Sequence, residues 1–224
     1  MKHSFIFLII FFIFGSTACS SREQAVADIE NKASTNDVKK TIISAEDQFI
    51  IDNYNRRINT EDIGDTEVFE NVLKESLVEV NKIKNNYERE KLQLNIYSAL
   101  GMYKEAYELN GKMLKDSFSF SRLFTQCSLI YSAQRPKSEY EKCYAELAAE
   151  IQKELKLPHN NEAEYIAAKW GYLLFMYQSG HKEYEIKLKE MLNSIEDEQL
   201  KLQLESSYKL AVEQVKSYEK PNDD

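Results

Sequence analysis

Apolar residues fall into three regimes along the chain. From Phe5 to Phe14 they run without a break for ten residues, whereas a helix crossing the roughly 30 Å hydrocarbon layer needs about 20. Residues 20–43, SSREQAVADIENKASTNDVKKTII, are mostly polar and carry no sustained apolar stripe, the pattern of a flexible tether. From Ser44 to about Tyr218 apolar residues recur at three- and four-residue intervals with little proline or glycine between them, which is helical punctuation. Val68, Val72, Leu77, Val80 and Ile83 form one stripe, and Leu204, Tyr208, Ala211, Val215 and Tyr218 form another. GYLLFMY, Gly171 to Tyr177, is apolar on nearly every face and predicts a helix sandwiched between neighbours.

Helix starts are marked too. Ser44 with Asp47, Asn161 with Glu164, and Ser194 with Asp197 each place a side-chain acceptor three residues before an acidic partner. Seven to nine helices follow, at roughly 45–58, 65–84, 87–100, 103–116, 119–134, 136–156, 161–179, 182–194 and 196–218, with ends good to about 2–4 residues. No strand is needed. Short segments joined by tight turns must be antiparallel neighbours, so the expected fold class is all-α, a series of αα-hairpins.

The apolar run at the start is an address rather than a domain. Lys2 and His3 precede it, and Gly15-Ser16-Thr17-Ala18 supply the small residues that a signal peptidase accepts. These end at Cys19, and Ser16-Thr17-Ala18-Cys19 resembles the lipobox of bacterial lipoproteins, with Ser16 where that motif commonly has leucine. The resemblance covers only the first 20 or so residues. It implies a signal peptide over residues 1–18, a diacylglyceryl group on the Cys19 thiol, and an acylated amine at the same residue. Two or three acyl chains would anchor the chain stably, since each buried CH₂ contributes roughly 0.8 kcal/mol. The alternative is an ordinary secretory signal in which Cys19 is incidental. In a cell with two membranes, Ser20 after the cysteine resembles the outer-membrane sorting pattern.

The turns suggest a repeat. Gly101, Pro136 and Gly180 punctuate successive hairpins, and the longer interval contains the insertion LPHNN, Leu157 to Asn161. Within NIYSALGMYKEAYELNGKMLK, Asn95 to Lys115, the residues Gly101, Tyr103, Glu105 and Ala106 resemble the turn and second-helix start of a tetratricopeptide repeat, with Tyr97 and Leu114 as apolar bulk. Glycine lets the chain reverse, the aromatic fills the cleft, and small Ala106 allows close approach. KWGYLLFMYQSGHKEYE, Lys169 to Glu185, matches loosely. The resemblance implies a right-handed α-solenoid of antiparallel hairpins; a generic α-solenoid is the alternative. The expected organisation is a signal peptide over 1–18, a lipidated cysteine and tether over 19–43, an α-helical repeat domain over 44–218, and a disordered tail over 219–224.

Charge narrows the partners. The 224-residue chain carries a formal charge of −8, and losing residues 1–18 removes one lysine and makes it −9. An acidic chain repels nucleic acid and anionic headgroups, so membrane attachment would come from lipid and no nucleic acid partner is expected. Beyond Cys19 only Cys127 and Cys143 remain. Their midpoint falls beside Pro136, so on facing helices they form a disulfide if both face the seam, or stand as two small buried hydrophobes if not. They are not a CxxC redox pair.

Chemistry-bearing motifs are sparse. His159 and His181 sit in turns without a HExxH or cysteine–histidine cluster. There is no G-x-S-x-G, no P-loop and no G-x-G-x-x-G after a strand. Glu139, Glu141 and Glu146 read as solvated helix faces. Aromatic residues stand out, with 14 tyrosines and one tryptophan. Tyr97, Tyr103, Tyr107, Tyr165, Trp170 and Tyr172 are candidate partner-binding residues, because such side chains combine contact area with a polar tip; filling helix seams is the competing role.

The expectation is therefore a lipid-anchored, periplasm-facing scaffold or adaptor, not an enzyme, without cofactor or metal. It would bind another protein in an envelope assembly or secretion machine, probing a basic partner with an acidic groove. An immunity lipoprotein neutralising a periplasm-acting toxin is the alternative, and a cell-wall hydrolase ranks last.

Overall fold

The structure, a computed structural model, describes residues 43–60, 66–158 and 162–219. The lipobox-like segment with Cys19 and Ser20, the tether up to residue 42, His159 with the end of the LPHNN insertion, and the tail from residue 220 lie outside them. Among the described residues there are nine helices and no strand: α1 (Ala45–Thr60), α2 (Thr66–Val80), α3 (Asn86–Ala99), α4 (Tyr103–Asp116), α5 (Phe120–Ser132), α6 (Lys137–Glu154), α7 (Glu162–Gln178), α8 (Tyr184–Ser194) and α9 (Glu198–Ser217). None is long and apolar enough to cross a membrane. The chain divides into two compact units after Gly101. The division falls within the expected repeat domain over 44–218, inside the Asn95–Lys115 segment that carries the repeat resemblance.

In the first unit α2 packs on both α1 and α3. Tyr54, Leu73, Val80, Ile83, Leu92 and Ile96 form the core, so the Val72–Val80–Ile83 stripe does face inward, while Val68 at its start is 40 % exposed. The predicted α2 runs to residue 84, but the helix stops at Val80. The cause lies across the unit. Asp47 accepts from Lys84 N–H through Oδ1 and from Asn85 N–H through Oδ2, both at 2.9 Å, which holds that backbone out of the helical ladder. Asn85 then caps α3 by accepting from Glu88 N–H, and Arg89 Nη1 donates to Ile83 O.

Ser44 caps α1 as expected, accepting from Asp47 N–H at 3.0 Å. The Asp47 carboxylate is engaged at the distant turn. The Lys84 N–H above all holds its carboxyl below the usual range, with burial pulling the other way. A depressed folded pKa means that the stabilisation is present above the unfolded value near 3.8 and is lost as pH falls through the folded one. Asp47→Asn should therefore lower the stability of the first unit at neutral pH and flatten its acid dependence below about pH 4. Thermal unfolding measured across that range checks both, and an unchanged acid limb would contradict the assignment.

The second unit holds α4 to α9. Each helix through α8 packs on the next, and α9 returns onto both α7 and α8. Because α7 touches α6, α8 and α9, its apolar circumference is covered; Trp170, Leu173, Leu174, Phe175 and Tyr177 are all buried. At the α8–α9 turn the expected pairing of Ser194 with Asp197 does not form. Ser194 closes α8 by donating to Met191 O, and Asp197 is itself the cap of α9, accepting from Gln199 and Leu200 N–H. The extended backbone at Ile195 separates the two roles.

Three helix ends share one backbone device. Gly101 (φ 71°), Gln134 (φ 53°) and Gly180 (φ 96°) adopt left-handed conformations. At each, the N–H reaches back three residues, to Ser98, Tyr131 and Tyr177 O respectively. Arg135 N–H to Ile130 O and His181 N–H to Met176 O complete the wider loop at the latter two, as in the common glycine-terminated helix cap. Gln134, not Pro136, is therefore the counterpart of the two glycines. A side chain there is strained by roughly 1–2 kcal/mol, partly offset by the greater chain entropy glycine has to lose. Gln134→Gly should raise stability by up to about 1 kcal/mol, read from urea unfolding; a loss would show that the Gln134 side chain is structurally required.

Candidate functional site

A buried polar cluster of the second unit lies where the start of α6, the end of α7 and the last turns of α9 come together. Three helices contribute its floor. Tyr140 of α6, Gln178 of α7 and Gln214 of α9 are all buried. Tyr140 Oη donates to Gln214 Oε1 at 3.1 Å and accepts from Gln178 Nε2 at 2.8 Å, while Gln178 Nε2 also donates to Gln214 Oε1 at 3.2 Å. Buried polar groups must be paired, so this triangle registers the three helices against one another. Tyr140 also packs against the rings of Tyr144 and Tyr218, with centroids 4.7 and 4.9 Å away. Tyr218 Oη donates to Arg135 O and ties the α9 end to the α5–α6 turn.

Above this floor is a cavity of about 110 Å³, lined by Lys137, Tyr140, Glu141, Gln178, Gly180, Lys182, Val215 and Glu219. Two ion pairs border it. Lys137 Nζ stands 3.5 Å from Glu141 Oε1, and Lys182 pairs with Glu219. Gly180 matters here for space as well as for its φ. A Cβ at that position would stand 3.1 Å from Glu141 Oε1, so a side chain there would press the carboxylate a few tenths of an ångström away from the turn.

The electrostatics favour fixed charge and neutrality over proton exchange. Burial drives the Tyr140 phenol far up, so it stays protonated. Glu219 raises the Lys182 ammonium, and Lys182 lowers the Glu219 carboxyl. Each of these shifts leads away from neutral pH, whereas acid–base catalysis uses groups poised near it. The arrangement is suited to presenting hydrogen-bonding groups and paired charges.

The sequence-predicted residues are dispersed. Tyr97 belongs to the first unit and is half-buried, as are Tyr103, Tyr107 and Tyr172 in the second. The Tyr107 hydroxyl donates to Glu139 Oε2, and the Arg135 guanidinium lies over its ring at 5.2 Å. Trp170 is 5 % exposed and its Nε1 donates to Ser207 Oγ at 3.0 Å, so the indole fills a seam between α7 and α9. Tyr172 meets Tyr184 hydroxyl to hydroxyl at 3.3 Å. Tyr165 is exposed, with Lys169 Nζ 5.8 Å from its ring centroid. Cys127 and Cys143 are joined in a disulfide between α5 and α6, with Cα atoms 5.5 Å apart and both side chains buried. His181 is exposed beside Glu183. Glu139 binds Arg135 through both oxygens, and Arg135 lowers its carboxyl. Glu146 is exposed.

Among the described residues no group of three or more His, Cys, Asp or Glu side chains is placed to hold a metal ion. Sequence reasoning missed Tyr140, Gln178 and Gln214 of the floor and Lys137, Lys182 and Glu219 of the rim. Gln178 alone left a trace, as the polar residue that ends the apolar run of α7 two positions before Gly180. No protein family, no curated protein and no solved structure matches the chain.

Proposed function

We propose that this chain is a lipid-anchored, periplasm-facing scaffold or adaptor that acts by binding another protein in an envelope assembly or secretion machine. It would be a tetratricopeptide-like α-solenoid held at the membrane through acyl groups on Cys19. The observation that carries the reading is the conjunction of a lipobox-like Ser16-Thr17-Ala18-Cys19 with helices that pack in chain order within each unit and repeat one turn geometry. Stacked helical hairpins expose extended surfaces suited to protein partners. The shifts of Tyr140, Lys182 and Glu219, which lead away from neutral pH, support binding over catalysis. A buried disulfide suits an oxidising compartment.

Cys19→Ala tests the anchor. The variant should keep the helical circular dichroism of the wild type, remain unprocessed or leave the membrane fraction, and lose any partner that crosslinks to the anchored protein. Unchanged processing and unchanged membrane attachment would overturn the lipidation and with it the anchored reading.

A further inference from the structure

The Cys127–Cys143 bridge is closed inside the apolar core of the second unit. Cys127 is fully buried and Cys143 is 8 % exposed, and both belong to one cluster with Leu123, Ile130, Tyr144 and Leu147. The cavity beside Tyr140 is lined by neither cysteine. A disulfide forms by exchange: a thiolate opens the oxidant's disulfide, a mixed disulfide results, and the second thiolate displaces the oxidant from it. Both stages conflict with this location. An apolar core disfavours the charged thiolate, and close packing leaves no room for an oxidant hung on either sulfur.

The α5–α6 hairpin, by contrast, holds everything that brings the two residues together. They lie 16 apart in sequence on consecutive helices, so closing the loop between them is a local event. The turn is tied by its own groups. Arg135 N–H donates to Ile130 O, and the Arg135 guanidinium binds both carboxylate oxygens of Glu139. The cover comes from outside the hairpin, with α4 packed on α5 and α7 on α6.

We propose that the second unit is a substrate of a dithiol–disulfide exchange protein, which oxidises Cys127 and Cys143 while the α5–α6 hairpin is open, before α4 and α7 pack over it. The two cysteine sulfurs join and give up two electrons and two protons. The exchange protein's disulfide is cleaved and takes them up as its dithiol. Once the unit has closed, the bridge is out of reach of the same chemistry in reverse, so it is a fixed brace and not a redox switch. The inference goes beyond the scaffold reading and does not rest on it, because it concerns how the unit is made and not what the finished chain binds.

Oxidation and reduction share the mixed disulfide, so the finished protein tests the step in reverse. The probe is dithiothreitol, a dithiol far smaller than any exchange protein, applied to the full-length Cys19→Ala chain in detergent, where Cys127 and Cys143 are the only cysteines. Free thiols are counted by alkylation and mass spectrometry. The folded chain should be reduced at least about 100-fold more slowly than the urea-unfolded one, because the core must open first. Adding Trp170→Ala, which loosens α7, should speed reduction of the folded chain by at least about tenfold and leave the unfolded rate unchanged. In the forward direction, oxidised protein disulfide isomerase is added to the reduced chain before or after urea is diluted away. The reduced chain should either fail to regain native helix content until it is oxidised or, once it has regained it, be oxidised about 100-fold more slowly than the unfolded chain. A smaller ratio in either direction, or a destabilised Trp170→Ala chain that is reduced no faster, would overturn the proposal.

Discussion

Trp170→Ala is expected to destabilise the second unit by about 3–5 kcal/mol, the range for removing a large buried aromatic from a packed interior. The indole is 5 % exposed and its Nε1 donates to Ser207 Oγ, which itself donates to Leu204 O. Truncation deletes its packing between α7 and α9 and also strands a hydroxyl acceptor. Trp170→Phe restores most of the volume without the hydrogen bond, and should recover all but about 1–2 kcal/mol. Urea unfolding followed by circular dichroism is the appropriate probe, since the chain has no other tryptophan to report by fluorescence. Near-native stability in Trp170→Ala, with partner capture reduced, would instead place the indole in an interaction surface.

Breaking the Cys127–Cys143 bridge is expected to have the next largest effect. The two residues are 16 apart in sequence, and in the chain-entropy description a closed loop of this size stabilises a fold by about 3 kcal/mol. With both cysteines replaced by alanine, the urea midpoint of the second unit should fall by roughly 1–3 M. Cys127 is fully buried, so the smaller alanine side chain adds a packing loss. Reduction of the wild type should reproduce most of the shift without that loss. The first unit contains no cysteine among its described residues and should be unaffected. Equal stability of oxidised and reduced protein would contradict a structural role for the bridge.

Much of the architecture was legible because helix periodicity is a local property. The stripe from Leu204 to Tyr218 faces inward as its spacing requires, with Leu204, Ala211 and Val215 buried and Tyr208 and Tyr218 packed beside them. Errors arose where a side chain answered a distant backbone. Nothing near Lys84 in sequence indicates that its N–H belongs to Asp47, so α2 was expected one turn too long. The sequence marks the hairpin turn between Gly101 and Gly180 by Pro136, whereas the residue in the left-handed conformation there is Gln134, which carries no turn signature.

The candidate site was less accessible to sequence reasoning for the same cause. Tyr140, Gln178 and Gln214 are brought together from three helices, and a glutamine on a helix ordinarily reads as surface. Tyrosines were legible as a group but not by role. Tyr107 is held by Glu139 and covered by Arg135, Tyr172 meets Tyr184, and Tyr165 remains exposed. Composition counts aromatic rings; only packing separates those that fill seams from those that face water.

The central claim, that the anchored chain works by binding another envelope protein, is tested most directly by crosslinking and affinity capture of the tagged full-length protein from intact cells. The control is residues 1–43 fused to an unrelated soluble domain, and captured proteins are identified by mass spectrometry. The account predicts recovery of subunits of one envelope assembly or secretion machine with the full chain and their absence from the control. Recovery of a secreted toxic effector, with deletion sensitising cells to it, would reassign the protein to toxin immunity, and equal recovery from chain and control would contradict the binding claim itself.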